Sequence, residues 1–316
     1  MGGAQCPAHH AEDTAHHAAR PPASPAARPL FSDMTRIVGF TFVSNAIRLD
    51  FPAVPAIHSI LPLCDELLVN VGPSDDATLD LIHGIDDPRI RFIHGEWDRS
   101  AGSRMLSIET QRALDAARGD WAVYIQADEV LHEDGIPLLR NAIAEAGDDA
   151  RIEGLLLDYR HFYGSFDWVA TNRAWYRDEV RVVRLGASVH SFRDAQGFRV
   201  GPDDRRIRVR RTGAVMHHYG WARPSWALDQ KRTTDATIYE GREAPTAPVT
   251  LEWIAGLSRF KGTHPAVARE WIAARTGQPV EFGPVRLRGQ LRLIASGVFE
   301  QLTGWRPFPY RNYVEV

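Results

Sequence analysis

From residue 37 onward the apolar positions come in blocks. Residues 37–44 (IVGFTFVS) form a continuous apolar run, the pattern of a strand buried on both faces. Residues 66–71 (ELLVNV), 89–95 (RIRFIHG) and 121–126 (WAVYIQ) repeat that pattern at shorter length. Between these runs the spacing turns helical. One helical stretch leads to Leu61, and a second, 74–85 (SDDATLDLIHGI), opens on Ser and Asp, which favour helix N-termini. A third runs from Ser103 to Arg118, with Leu106, Ala113, Leu114 and Ala117 on one face and Gly119 closing it. Strand–helix alternation with short connections predicts an α/β fold with a mostly parallel sheet flanked by helices. Ligands of such sheets sit beyond the carboxyl ends of the strands. The fourth run ends there, in Gln126, Asp128 and Glu129.

The second half is less regular. Strands are predicted within 153–168, at 180–185 and at 205–211, where Arg205, Arg206, Arg208, Arg210 and Arg211 interleave with Ile207 and Val209. Helices are predicted near 224–240, 250–260, 265–275 and 286–302. Residues 1–33 are rich in Ala, Pro and His and poor in large apolar residues. Such a segment buries too little surface to offset its ordering entropy, so a disordered tail is expected there. His9, His10, His16 and His17 belong to that tail, and Met34 is a candidate start.

A length of 316 residues suits one large α/β domain with additions, and 44% hydrophobic and 24% charged residues are ordinary for a globular protein. A net charge of -3 argues against a nucleic-acid binder. Two cysteines, Cys6 and Cys64, fit a reducing compartment better than a disulfide framework. The absence of a long apolar span and of a signal-type apolar segment leads to the expectation of a cytoplasmic protein. The stretch 285–302 is basic and amphipathic, and could lie on the inner face of an anionic membrane.

Carboxylates at a strand end can hold Mg²⁺ or Mn²⁺ together with substrate phosphates. The same residues could equally be a solvated strand end. Their surroundings separate these readings. TFVSNA (41–46), NVGPSDDAT (70–78), ALDAARGDW (113–121) and YIQADE (124–129) follow one another in an order that resembles the landmarks of family-2 glycosyltransferases. HFYGSFDW (161–168), WYRDEVR (175–181), DAQGFR (194–199) and HYGW (218–221) resemble a bacterial subgroup of that family, with QADE as a variant of its D-x-D motif.

The resemblance implies a GT-A fold, with residues 34–226 as the catalytic domain and 227–316 as a helical C-terminal extension. It implies metal-dependent, inverting transfer of a sugar from a nucleotide-diphospho-sugar to an acceptor hydroxyl, with Mn²⁺ or Mg²⁺ as cofactor. By that resemblance Phe42, Ser44 and Asn45 hold the nucleoside, and Ser74, Asp76 and Thr78 lie near the nucleotide. Val71 or Gly72 stands where the family has an Asp, leaving Asn70 as a substitute partner. Gln126 replaces the first acid of D-x-D, so Asp128 becomes the main metal ligand, with Glu129 behind it. His218 is the compensating ligand, while His217 points elsewhere if the segment is extended. An Asp restored at 126 is expected to tighten metal binding. Asp194, expected to be enclosed by Phe192 and Phe198, is the candidate base, with Glu179 and Asp167 competing. The aromatic cluster Tyr159, His161, Tyr163, Phe166, Trp168, Trp175 and Tyr176 reads as core or as a sugar platform. The Arg-rich strand and Lys231 are candidate diphosphate partners. Two other readings remain open at this stage. One is a non-catalytic nucleotide- or glycan-binding protein on a degenerate transferase scaffold; the other is a metal-dependent nucleotidyltransferase or phosphohydrolase.

Overall fold

A computed structural model describes residues 35–239, 241–278, 282–284, 287–306 and 310–316. The tail 1–33 with its histidines and Cys6, and the candidate start Met34, lie outside them. Four parallel strands come first: β1 (Ile37–Val43), β2 (Glu66–Val71), β3 (Ile90–His94) and β4 (Trp121–Tyr124), side by side in the order β3-β2-β1-β4. Helices α1 (Ala53–Ile60), α2 (Thr78–His83) and α3 (Arg104–Ala116) connect them. Alternation along the strands gives the sheet two apolar faces. Ile37, Val43, Leu67, Val69, Trp121 and Val123 share one core cluster with Ala53, Ile57 and Ile60 of α1. Val38, Phe40, Leu68, Ala122 and Tyr124 join Ala113 and Leu114 of α3 in another. Covering both faces is what makes these strands continuous apolar runs, and each large side chain so buried contributes roughly 1.5–3 kcal/mol.

The mixed half contains β5 (Glu129–Leu131), α4 (Gly135–Ala146), β6 (Gly154–Tyr163), β7 (Trp168–Ala170), β8 (Asp178–Arg184), β9 (Val189–Phe192), β10 (Gly197–Val200) and β11 (Arg205–Trp221). β8 pairs antiparallel with β4, and the sheet continues through β6, β11, β10 and β9. The strand expected at 205–211 is only the start of β11, which runs 17 residues because Ala214, Met216 and Tyr219 stay buried beyond it. β11 pairs in parallel with β6 and antiparallel with β5, where His218 stands opposite Glu129. That register brings the HYGW segment beside Asp128.

The chain continues through α5 (Ser225–Thr234), β12 (Leu251–Glu252), β13 (Leu257–Arg259), α6 (Arg269–Ala273), β14 (Phe282–Gly283), α7 (Leu287–Thr303) and β15 (Tyr313–Glu315). The helix expected at 250–260 is absent. Residues 251–252 and 257–259 are strands instead, and pairing of β13 with β7 outweighs the local helical spacing. Likewise the stretch 227–316 is helical only in part. β13 and β15 enter the main sheet, the latter alongside Ile207–Val209 of β11, and Arg275 forms an ion pair with Asp50.

Candidate functional site

A cavity of about 640 Å³ opens at the carboxyl ends of β1 and β4. Its lining brings together Phe42, Ser44, Asn45, Gln126, Asp128, Asp194 and His218, residues far apart in the chain. Asn70, Ser74, Asp76 and Glu179 do not line it.

Those four have other tasks. The Ser74 hydroxyl accepts from the Asn45 amide at 3.0 Å, and Asp76 accepts from the Arg48 amide at 2.6 Å and the Thr78 amide at 2.9 Å. Asp75 N–H in turn donates to the Asn45 side-chain oxygen at 2.8 Å. The SDDAT segment therefore clasps the loop after β1, which is why α2 starts at Thr78 and not at Ser74. The clasp holds Asn45 at a φ of 50°, a left-handed conformation that Asn tolerates better than most residues. Asn70 is fully buried, and its amide donates to the Glu109 carboxylate at 2.8 Å and backbone carbonyl at 2.9 Å. It is spent on packing α3 against β2. Glu179 is buried behind the cavity, facing Gly197, and burial pushes its carboxyl up to about 7.

Asp128 and His218 do meet: Oδ2 and Nε2 lie 3.4 Å apart, with both side chains mostly buried. The hydrogen bonds behind His218 make its Nδ1 a donor. His161 Nε2 lies 2.7 Å from the Tyr176 carbonyl, so that nitrogen carries the hydrogen and Nδ1 accepts. Burial, followed by the neighbouring His218, holds His161 neutral. His218 Nδ1, 3.0 Å from His161 Nδ1, is then the donor between them, which leaves His218 Nε2 facing the Asp128 carboxylate. At this distance Nε2 and Oδ2 can share a proton as an ion pair, or a cation that displaces that proton. Gly220 keeps the space open, because a Cβ there would lie 2.7 Å from His218 Nε2 and 2.8 Å from Asp128 Oδ2. A carboxylate oxygen and an imidazole nitrogen suit Mn²⁺, or Mg²⁺ completed by substrate phosphates, so these residues fit a divalent ion. Among the described residues no group of three or more His, Cys, Asp or Glu side chains is placed to hold a metal alone.

Gln126 behaves differently from an acid substitute. Its amide donates to the Ala195 carbonyl at 3.1 Å and to the Tyr124 hydroxyl at 3.3 Å, anchoring the turn that presents Asp194. A carboxylate has no hydrogen for the Ala195 carbonyl. Restoring Asp at 126 is therefore expected to release the 193–196 turn and lower turnover by about tenfold rather than tighten metal binding. Steady-state kinetics with Mn²⁺ titration checks this; a tighter metal affinity with unimpaired turnover would refute it.

Glu129 supports both loops from behind. Its carboxylate accepts from Arg181 Nη2 at 2.8 Å and Nε at 2.9 Å, from the Tyr159 hydroxyl at 2.7 Å and from the Gln126 backbone N–H at 3.1 Å. Arg181 also donates to the Gln196 carbonyl at 2.8 Å. One fully buried ion pair thus braces the Asp128 turn and the Asp194 turn together. Breaking such a pair from one side costs about 3–5 kcal/mol.

Asp194 stands exposed at the cavity. It is not enclosed as expected, since Phe198 packs with Phe40 and Tyr124 and Phe192 packs under Arg199. The flanking Arg193 and Ala195 have φ values of 58° and 64°, a strained turn of the kind found at functional sites. Of the aromatic cluster only Tyr176 lines the cavity. The arginines at 205, 208, 210 and 211 pair with Glu153, Glu145, Asp158, Asp178 and Glu315, away from it. Lys231 of α5 does line it, as do Trp97 and Arg99, which the sequence had not marked. Trp97 explains the missing acid after β2: its indole occupies the space over Gly72, where a Cβ would come within 2.2–2.6 Å of the ring. The indole meets Phe42 edge to face at 5.6 Å.

No protein-family model matches the chain, and the comparison with curated proteins found no match. Among solved structures it is similar to S. aureus TarS in complex with UDP-GlcNAc, at 18% identity over 41% of this chain and 36% of that one, with a TM-score of 0.33. It is similar to glucosyl-3-phosphoglycerate synthase from Mycobacterium tuberculosis in complex with Mn²⁺, UDP and phosphoglyceric acid, at 23% identity over 41% and 43%, TM-score 0.28. A third likeness is to the mannosyltransferase PcManGT from Pyrobaculum calidifontis in complex with GDP-Man and Mn²⁺, at 20% identity over 40% and 36%, TM-score 0.31. The chain thus spans 36–43% of the length of these proteins.

Proposed function

We propose that this chain is a glycosyltransferase that moves a sugar from a nucleotide-diphospho-sugar to an acceptor hydroxyl, with Mn²⁺ or Mg²⁺ held by Asp128 and His218. The observation that carries this reading is the convergence of Asp128 Oδ2 and His218 Nε2 over Gly220, inside a cavity at the carboxyl ends of the parallel strands. When bound, the ion supplies charge stabilisation to the departing diphosphate.

The protein's own groups do the rest. Phe42 and Trp97 offer aromatic walls to the nucleobase, and Ser44 and Asn45 line the adjoining surface. Lys231 and Arg99 present cations to the diphosphate. Asp194 accepts the proton of the acceptor hydroxyl as it attacks from the face opposite the leaving group, which inverts the anomeric centre. The ordered motif series supports the same reading, with QADE as the form of D-x-D in which the first acid has become the anchor of the Asp194 turn. In this arrangement residues 34–226 form the catalytic domain, and 227–316 close it through Lys231.

The test is incubation of the protein with UDP-, GDP- and dTDP-sugars and Mn²⁺ or Mg²⁺, followed by measurement of nucleoside diphosphate release. Slow metal-dependent hydrolysis of one donor, stopped by EDTA, is expected. Tight nucleotide binding in calorimetry with neither metal dependence nor turnover would instead identify a non-catalytic binder.

A further inference from the structure

The C-terminal helix α7 is turned inside out. Its inward side carries mainly polar and small residues around half-buried Leu293: Gln290 is buried and accepts from the Ala255 amide at 2.9 Å, and Glu300 forms ion pairs with Arg177 at 2.5 Å and Arg306 at 3.8 Å. Its outward side carries Leu291, Val298, Phe299 and Leu302, with exposures of 60%, 49%, 42% and 81%, and Trp305 just beyond at 58%. A helix packed on a domain normally shows the reverse distribution. At about 100° per residue these positions form one stripe, with exposed Arg292 at its border and exposed Arg288 within it, at its N-terminal end. The only acid of α7, Glu300, is on the inward side. Residues 285 and 286, which begin the basic stretch in the sequence, lie outside the described residues.

We infer that the outer face of α7 docks on an anionic lipid surface, with the apolar stripe among the acyl chains and Arg288 and Arg292 at the headgroups. Charge and composition select this occupant. A second copy of the chain would present the same face, which holds no acid to receive the two arginines. The N-terminal segment 1–33 has only Met1, Leu30 and Phe31 as large apolar residues, too few to cover the stripe. An anionic bilayer receives both kinds of group, and Trp305 at the helix end suits the headgroup level. At about 25 Å long the helix lies along the surface, and no helix among the described residues is long and apolar enough to cross a membrane. This inference does not depend on the proposed sugar transfer.

The test is co-sedimentation of the full chain with vesicles of phosphatidylcholine alone, or of equal parts phosphatidylcholine and phosphatidylglycerol. Binding is expected only to the anionic vesicles, and added salt should weaken it. Leu291→Glu with Leu302→Glu should abolish it, and Arg288→Gln with Arg292→Gln should weaken it about tenfold or more. Both pairs sit at exposed positions, so far-UV dichroism and the thermal transition should be unchanged, which separates lost docking from lost folding. Failure to sediment with either vesicle overturns the proposal. So does a dimer in light scattering that the Leu291→Glu, Leu302→Glu variant splits, since the face would then be a self-interface.

Discussion

Asp128→Asn is expected to lower sugar transfer by about 10³-fold, or about 4 kcal/mol of transition-state stabilisation. Burial disfavours the charge on Asp128, but His218 above all, with Lys231 and Arg223, more than offsets this and holds the carboxyl well below the usual carboxylate range. At neutral pH the wild-type group is therefore an anion aimed at His218 Nε2. Asparagine keeps its size and one oxygen but removes the charge, leaving His218 with no anionic partner across the Gly220 gap. The backbone role survives, because Tyr219 N–H donates to the Asp128 carbonyl at 2.8 Å and not to its side chain. The thermal transition should thus stay close to wild type while Mn²⁺ binding in calorimetry is lost. Near-normal turnover in the variant would remove the metal assignment altogether.

The parallel half of the fold was legible in the sequence because burial on both faces leaves a one-dimensional trace. The runs at 37–44, 66–71, 89–95 and 121–126 match β1 to β4 closely. The C-terminal part was less legible: β12, β13 and β15 have partners distant in sequence, and a strand of two or three residues has no periodicity of its own. At the site, the motif order marked Asp128, His218 and Asp194, and the cavity gathers all three. What the order did not show is which side chains are already occupied. Ser74, Asp76 and Asn70 look like free polar groups in a string of letters, yet each is committed to the clasp after β1 or to α3. Trp97 lies in an irregular stretch, 95–103, that no pattern singles out. The two missing acids have the same kind of explanation. Gly72 yields its volume to the Trp97 indole, and Gln126 donates a hydrogen bond that no carboxylate can make. Both are accommodated by compensating contacts, so they are poor support for a decayed scaffold.

Asp194→Asn separates proton transfer from metal binding. It is expected to lower transfer by about 10²–10⁴-fold, the range of a lost general base, while Mn²⁺ and nucleotide binding stay at wild-type affinity. The turn should survive the change, because it is held by Gln126 donating to the Ala195 carbonyl and Arg181 donating to the Gln196 carbonyl, neither of which uses the Asp194 carboxylate. Glu179→Gln is the matching control. Glu179 is buried away from the cavity, and the substitution mimics the neutral form that burial, by raising its pKa to about 7, keeps well populated at neutral pH. Its effect on rate should stay within about threefold, close to 0.6 kcal/mol. A reversal of this pair, with Asp194→Asn active and Glu179→Gln inactive, would move the base behind the β10 wall. It would also require an acceptor route that the cavity at the ends of β1 and β4 does not provide.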